Sequence, residues 1–115
     1  KFVVVVDSTK MVKNLGLSFP IPTEVLREAR VPAARAFEAL GAAPDVRMAV
    51  KKMGAVITDN GNILLDLKFR KAFDPRKMEE ALSLIPGVLG NGIFSRCSPE
   101  VMVGHPDGSI RRHTR

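Results

Sequence analysis

The chain has 115 residues, 45 % of them apolar, which is material for one domain or for one small domain plus part of another. No apolar run approaches the ~20 residues of a membrane helix, so no membrane partner is expected, and the single cysteine, Cys97, excludes an internal disulfide and suits a reducing, cytoplasmic setting. The net charge is +6, but three of the excess charges, Arg111, Arg112 and Arg115, fall in a stretch read as a flexible basic tail (111–115), and without Tyr or Trp as stacking platforms nucleic acid is not an expected partner.

Phe2-Val3-Val4-Val5-Val6 is a continuous apolar, β-branched run that predicts a strand buried on both faces, as in a parallel sheet covered by helices. It is too short, and Asp7 follows too closely, for a secretory leader. One such strand at the start of a chain is no sheet, so the expectation is that a front half belongs before it. Met11 to Gly16 reads as a short helical turn closed by glycine, and Phe19-Pro20-Ile21-Pro22 as an extended domain boundary.

A short strand is expected at about 22–27, then a helix over 32–40, where Ala33, Ala36, Phe37 and Leu40 form one stripe and Gly41 ends it. Pro32 requires that the regular helix begin about there. Val46, Met48 and Val50 alternate, which predicts a strand over 45–50. Asn60-Gly61 lies between two apolar runs and predicts a type I′ hairpin whose arms extend over 56–68, with Asp59 as a turn residue only. Asp74 is an N-cap and Pro75 the first residue of a helix over 75–85, with Met78, Ala81, Leu82 and Ile85 on its core face. Pro86-Gly87 stops it. A strand over 88–95 follows, in which Gly90 and Gly92 mark a bulge or a close backbone contact. Val101-Met102-Val103 is one more apolar strand before the Pro106-Asp107-Gly108 turn.

The middle of the chain thus has the β-α-β-β-α-β order of a ferredoxin-like split βαβ sandwich. The predicted architecture is α/β: residues 1–16 end a Rossmann-like parallel sheet, 17–96 form an inserted ferredoxin-like α+β subdomain, and 97–110 return a strand to the incomplete sheet. A purely structural oligomerisation module, or a nucleic-acid-binding one of the same fold, is the alternative reading.

Chemistry is sparse. His105 and His113 are isolated and Cys97 has no companion at ligand spacing, so no metal is expected, and as a free thiol Cys97 reads as a small hydrophobe. No glycine-rich phosphate loop opens a helix, and Glu79-Glu80 point to different helix faces. Asp7-Ser8-Thr9-Lys10 has positional logic. It follows a parallel-type strand at its carboxyl end, where open α/β sheets bind ligands, and offers an acid, two hydroxyls and an ammonium. Lys10 is therefore the candidate anion-binding residue.

The succession V-V-V-D-S-T-K, F-P-I-P-T-E-V, V-I-T-D-N-G-N-I-L-L-D, D-P-R-K-M-E-E, I-P-G-V and N-G-I-F resembles the C-terminal half of ribose-5-phosphate isomerase, type A, from Phe2 to about Gly108. The resemblance implies a cytoplasmic, cofactor-free aldose–ketose isomerase of the pentose phosphate pathway, a Rossmann-like domain with a ferredoxin-like subdomain, and a homodimer or homotetramer. It also implies that the general-base glutamate lies upstream of Lys1, so no catalytic residue is expected here. The family's substrate-binding lysine, in a D-x-S-K context, corresponds to Lys10, with Thr9 in place of the serine. Pro32 and His105-Pro106 depart from the family pattern.

Overall fold

The computed structural model describes residues 2–114. In chain order the elements are β1 (Val3–Asp7), β2 (Ile21–Val25), α1 (Arg30–Ala39), β3 (Ala42–Val46), β4 (Ile63–Phe69), α2 (Pro75–Ser83), β5 (Val88–Asn91), β6 (Glu100–Gly104) and β7 (Ile110–His113), with single 3₁₀ turns at Ser8–Lys10 and Arg27–Ala29. The described residues thus form an α/β arrangement with one mixed sheet, one antiparallel sheet and two α-helices. Two units contain them: one of residues 14–93, the other of the flanking stretches up to 13 and from 94.

The central unit is a four-stranded antiparallel sheet of order β3-β4-β2-β5. Alternation builds its core: Ile21, Thr23 and Val25 of β2 and Ile63, Leu65, Leu67 and Phe69 of β4 are all buried. Phe37 of α1 and Leu82 of α2 close that face, both with no exposed surface. Burying side chains of this size stabilises by about 1.5–3 kcal/mol each.

Pro22 stands in an interior strand although it cannot donate to a ladder. It is tolerated because its missing N–H faces the end of β5, where the Pro22 carbonyl accepts from Gly92 N–H at 2.8 Å. A Cβ on Gly92 would stand 2.7 Å from Pro22 Cδ, so the close backbone contact expected near this glycine is made by Gly92 itself. The predicted bulge also occurs: the β2–β5 register shifts between Glu24 and Val25.

α2 follows its signals, since Asp74 Oδ1 accepts from the N–H groups of Arg76 at 2.9 Å and Lys77 at 3.1 Å. α1 begins at Arg30, two residues before Pro32. A proline in the first turn removes only an N–H that has no intrahelical partner anyway. The third strand is Ala42–Val46 rather than 45–50. Pairing of Ala42 with Phe69 and Val46 with Leu65 sets it, and Met48 and Val50 are exposed. The hairpin is also different. Asn60 does not take the positive φ that a type I′ turn demands; only Gly61 does, at +81°. Gly61 N–H donates to Thr58 O and Thr58 N–H to Asn62 O, giving a type I turn with a glycine bulge. Its upstream arm is reduced to a single Ile57–Ile63 bridge.

The flanking unit is a three-stranded sheet of order β1-β6-β7, with β1 parallel to β6 from Val3↔Glu100 to Asp7↔Gly104. β1 is at the sheet edge, and Val3 and Val5 are exposed rather than buried on both faces. The basic tail is corrected too. Ile110–His113 forms β7, antiparallel to β6, because Met102 pairs with Arg112 and the Arg112 guanidinium meets Glu100 at 2.5 Å. Arg115 lies outside the described residues. Cys97 is exposed, not a core hydrophobe.

Candidate functional site

β1 and β6 are parallel and in register to their last residues, so Ser8 and His105 leave the sheet side by side at its carboxyl edge. There the chain makes one 3₁₀ turn, Ser8–Lys10, pinned by Asp7: its Oδ1 accepts from the Thr9 N–H at 2.8 Å and from the Thr9 hydroxyl. The Thr9 hydroxyl first, then the Thr9 N–H, with the Lys10 charge adding to them, hold the Asp7 carboxyl below its ordinary pKa. Asp7 is thereby an anion committed to its own turn, and Lys10 ends the turn with an exposed side chain.

This edge opens into a concavity of about 770 Å³. Its rim is Asp7, Ser8, Thr9, Gly104, His105 and Pro106, over an apolar floor from β1, β6 and β7. On the β6 side a second pinned turn faces it. His105 N–H donates to Ser109 O at 2.9 Å and Gly108 N–H to His105 O at 3.0 Å. Asp107 Oδ1 accepts from the Ser109 N–H at 2.9 Å and hydroxyl at 2.7 Å, which lowers its pKa.

The remaining sequence candidates are structural. Asp59 is an exposed turn residue, Met78 packs against the core, and Glu79-Glu80 begin no cluster. Among the described residues no group of three His, Cys, Asp or Glu side chains could hold a metal. The T-D-N-G-N block has its own anchor: Glu24 Oε1 accepts from Thr58 Oγ1 at 2.6 Å and Asn62 Nδ2 at 2.9 Å, with Asn60 Nδ2 at 3.5 Å. The Thr58 hydroxyl leads these donors in lowering the Glu24 pKa. Arg27 Nε donates to Gly61 O at 2.9 Å and fastens the other side of the turn. This arrangement orders backbone rather than presenting chemistry. Sequence reasoning missed the place of His105 on the rim; the available signal was its position after an apolar strand parallel to β1.

The mixed sheet, with polar turns at the carboxyl ends of its parallel strands, and the antiparallel sheet with its helices define an α/β protein. The family model for ribose 5-phosphate isomerase A (phosphoriboisomerase A) matches residues 1–108, and the chain belongs to that family. It is 50 % identical over 108 residues to ribose-5-phosphate isomerase A of a Synechococcus species, covering 94 % of this chain and 47 % of that protein. With the Thermococcus kodakarensis enzyme it shares 46 % identity over 110 residues, covering 96 % and 48 % respectively. Among solved structures, ribose 5-phosphate isomerase A of Methanocaldococcus jannaschii superposes with a TM-score of 0.91 at 40 % identity, over all of this chain and 50 % of that one. A D-ribose-5-phosphate isomerase in complex with phospho-erythronic acid superposes at 0.93, also at 40 % identity, with the same coverage of both chains. The chain therefore spans about half the length of the relatives it matches.

Proposed function

We propose that this chain carries the lysine side of a sugar-phosphate site in an aldose–ketose isomerase that interconverts D-ribose 5-phosphate and D-ribulose 5-phosphate. The observation that carries the reading is Lys10, at the end of a turn pinned by Asp7 on the carboxyl edge of a parallel strand pair, in a chain of this family. The phospho-erythronic acid held by a structural relative, a phosphorylated acid of sugar-like chain, supports the same ligand class here.

Isomerisation moves a proton between C1 and C2 through an enediolate, which requires a base and groups that offset the developing negative charge. Lys10 supplies a permanent cation for the phosphate or the enediolate oxygen, and Ser8 and Thr9 line the approach. The base is not assigned to this chain; it is read as a glutamate that the family carries upstream of the segment matched here. The reaction calls for no metal or organic cofactor.

The order β3-β4-β2-β5 supports reading residues 17–96 as a ferredoxin-like subdomain. The parallel β1–β6 pair supports reading 1–16 and 97–110 as part of a Rossmann-like sheet. The subdomain serves assembly into a homodimer or homotetramer, and the enzyme works in the cytoplasm. No helix among the described residues is long and apolar enough to cross a membrane.

Titration of ribose 5-phosphate into the chain tests the reading. Lys10→Ala is expected to weaken binding by about 10- to 100-fold, the loss of one charge-assisted hydrogen bond. Unchanged affinity removes Lys10 from the site. On its own the 115-residue chain should form no ribulose 5-phosphate; product from the purified chain would overturn the assignment of the base elsewhere.

A further inference from the structure

The chain contains two Asn-Gly dipeptides, Asn60-Gly61 and Asn91-Gly92. In a flexible chain this is the asparagine context most prone to lose ammonia, because glycine has no Cβ to block attack of its own nitrogen on the preceding carboxamide. The fold treats the two alike at the nucleophile: Gly61 N–H donates to Thr58 O and Gly92 N–H to Pro22 O, both at 2.8 Å. A nitrogen whose proton is so engaged does not turn on its neighbour until the hydrogen bond opens. They differ in what keeps that bond closed. Asn91 ends β5, opposite Thr23, and its carboxamide is tied at both atoms, Oδ1 accepting from Ile93 N–H at 3.0 Å and Nδ2 donating to Ser83 Oγ at 3.2 Å. Pro22 closes over Gly92, its Cδ 2.7 Å from where a Cβ would stand. Asn60 and Gly61 are both exposed, and Asn60 Nδ2 stands 3.5 Å from Glu24 Oε1, the long limit of a hydrogen bond. Their turn is kept shut from outside it: Glu24 Oε1 holds Thr58 on one side and Asn62 on the other, and Arg27 Nε holds Gly61 O.

We propose that Asn60 is this chain's site of spontaneous deamidation, and that the Glu24 and Arg27 clamp sets its rate by holding the Gly61 amide on Thr58. The proposal is independent of the sugar-phosphate reading. When the turn opens, the Gly61 nitrogen gives up its proton and forms a bond to Asn60 Cγ. The Cγ–Nδ2 bond breaks, and Nδ2 leaves with that proton as ammonia. Water, which reaches this exposed turn, then opens the cyclic imide at either carbonyl. Its hydroxyl stays on that carbon as a carboxyl group and its hydrogen returns to the Gly61 nitrogen. Opening at Cγ leaves aspartate, and opening at the Asn60 backbone carbonyl leaves isoaspartate. Aspartate puts a carboxylate where the carboxamide met Glu24, and like charges repel. Isoaspartate adds a methylene to the backbone, which takes the Gly61 N–H out of register with Thr58 O. The turn therefore does not reclose as it was. Exposed turns open at far less cost than strands in a packed sheet, so Asn60 reacts ahead of Asn91.

The test is peptide mapping by mass spectrometry, with isoaspartate quantified at each site, on the 115-residue chain aged at neutral pH. A sample unfolded in urea ages in parallel, and each site's folded rate is read against its own unfolded rate. Asn60 should be the less protected of the two. Glu24→Ala should speed Asn60 by about 10-fold, and Arg27→Ala by about 3- to 10-fold, through loss of the charged hydrogen bonds that close the turn. Asn91 is the internal control: its rate should not move, whereas a variant that simply unfolds speeds both sites together. Arg27 is exposed, so its truncation tests the clamp even where Glu24→Ala fails to fold. Protection of Asn60 equal to or greater than that of Asn91, including no conversion at either, overturns the assignment of the site. An Asn60 rate unchanged in Arg27→Ala, or raised only in step with Asn91, overturns the clamp.

Discussion

Gly87 is the position where the fold admits a side chain least. It has φ +86°, and a Cβ built on it would stand 2.2 Å from the Cβ of Ala29, the residue that precedes α1. The same glycine accepts a hydrogen bond from Leu26 N–H at 2.8 Å, so the segment entering β5 is held against the start of α1 and cannot swing away cheaply. Gly87→Ala therefore incurs two costs. The left-handed backbone contributes about 1–2 kcal/mol for any L residue, and relieving the overlap adds about 1–3 kcal/mol of the kind seen in overpacked cores. Gly61→Ala is the control. Gly61 has nearly the same φ, +81°, and its carbonyl is likewise engaged, but nothing lies within 4 Å of an added Cβ. With a urea m-value of ~1–2 kcal/mol per molar for a chain of this size, Gly87→Ala should have a midpoint ~1–2 M below that of Gly61→Ala. Ala29→Gly removes the other half of the overlap, so the Ala29→Gly, Gly87→Ala double variant should recover at least ~1 kcal/mol over the sum of the single changes. Equal midpoints for the two alanine variants, or strict additivity in the cycle, would falsify the contact argument.

Two further changes test the interior and the clamp on the turn. Thr23 is fully buried in β2, and its hydroxyl has no partner among the described residues; Thr23→Val should raise the melting temperature by ~2–6 °C, about 1 kcal/mol, by deleting an unsatisfied group. A lower melting temperature would show that the hydroxyl is bonded after all. Glu24 has a lowered folded-state pKa, led by the Thr58 hydroxyl and then the Asn62 amide, so it binds its proton less readily folded than unfolded. Its stabilisation is complete above the ordinary glutamate range near ~4.3 and is lost as the pH falls through the lowered folded value. Urea midpoints of the wild type should therefore decline below about pH 4.3 more steeply than those of Glu24→Gln, and parallel declines would remove Glu24 from the acid transition.

How far the fold could be read from residues alone depends on how local each cause is. Asp74-Pro75 specified the start of α2 because a cap acts within three residues, and Gly41 marked the end of α1 for the same reason. The hairpin at Asn60-Gly61 was legible as a turn but not as a type. That dipeptide suits either class, and the side-chain bonds that anchor the observed turn come from Glu24, 34 residues before Thr58 and 38 before Asn62. The alternation of Val46, Met48 and Val50 misled because it runs past the end of the strand into exposed loop; pairing with β4 decides the strand's limits. Arg111 to His113 looked like a solvated tail, and only the partner strand β6, with Glu100 facing Arg112, makes it a strand. At the candidate site, the turn from Asp7 to Lys10 was visible because it follows its strand directly. His105 was not: a single histidine has no motif, and its meaning comes from the register Asp7↔Gly104, which joins residues far apart in the chain.

A proposed anion site must also accommodate two carboxylates, Asp7 at its rim and Asp107 in the turn that follows His105. Asp7 and Asp107 would each repel a phosphate if their charges faced the bowl. Each instead accepts two hydrogen bonds, one N–H and one hydroxyl, from a residue two positions further on: Thr9 for Asp7 and Ser109 for Asp107. The donors stabilise each carboxylate in its charged form, which holds the pKa of both acids below the ordinary value. The same bonds determine where the chain goes next, carrying it into Lys10 on one side and holding the His105 turn closed on the other. The acids therefore act as structural anchors of their own turns. Replacing either with alanine should disorder its turn, and should weaken an anionic ligand rather than strengthen it, although a negative charge has been removed.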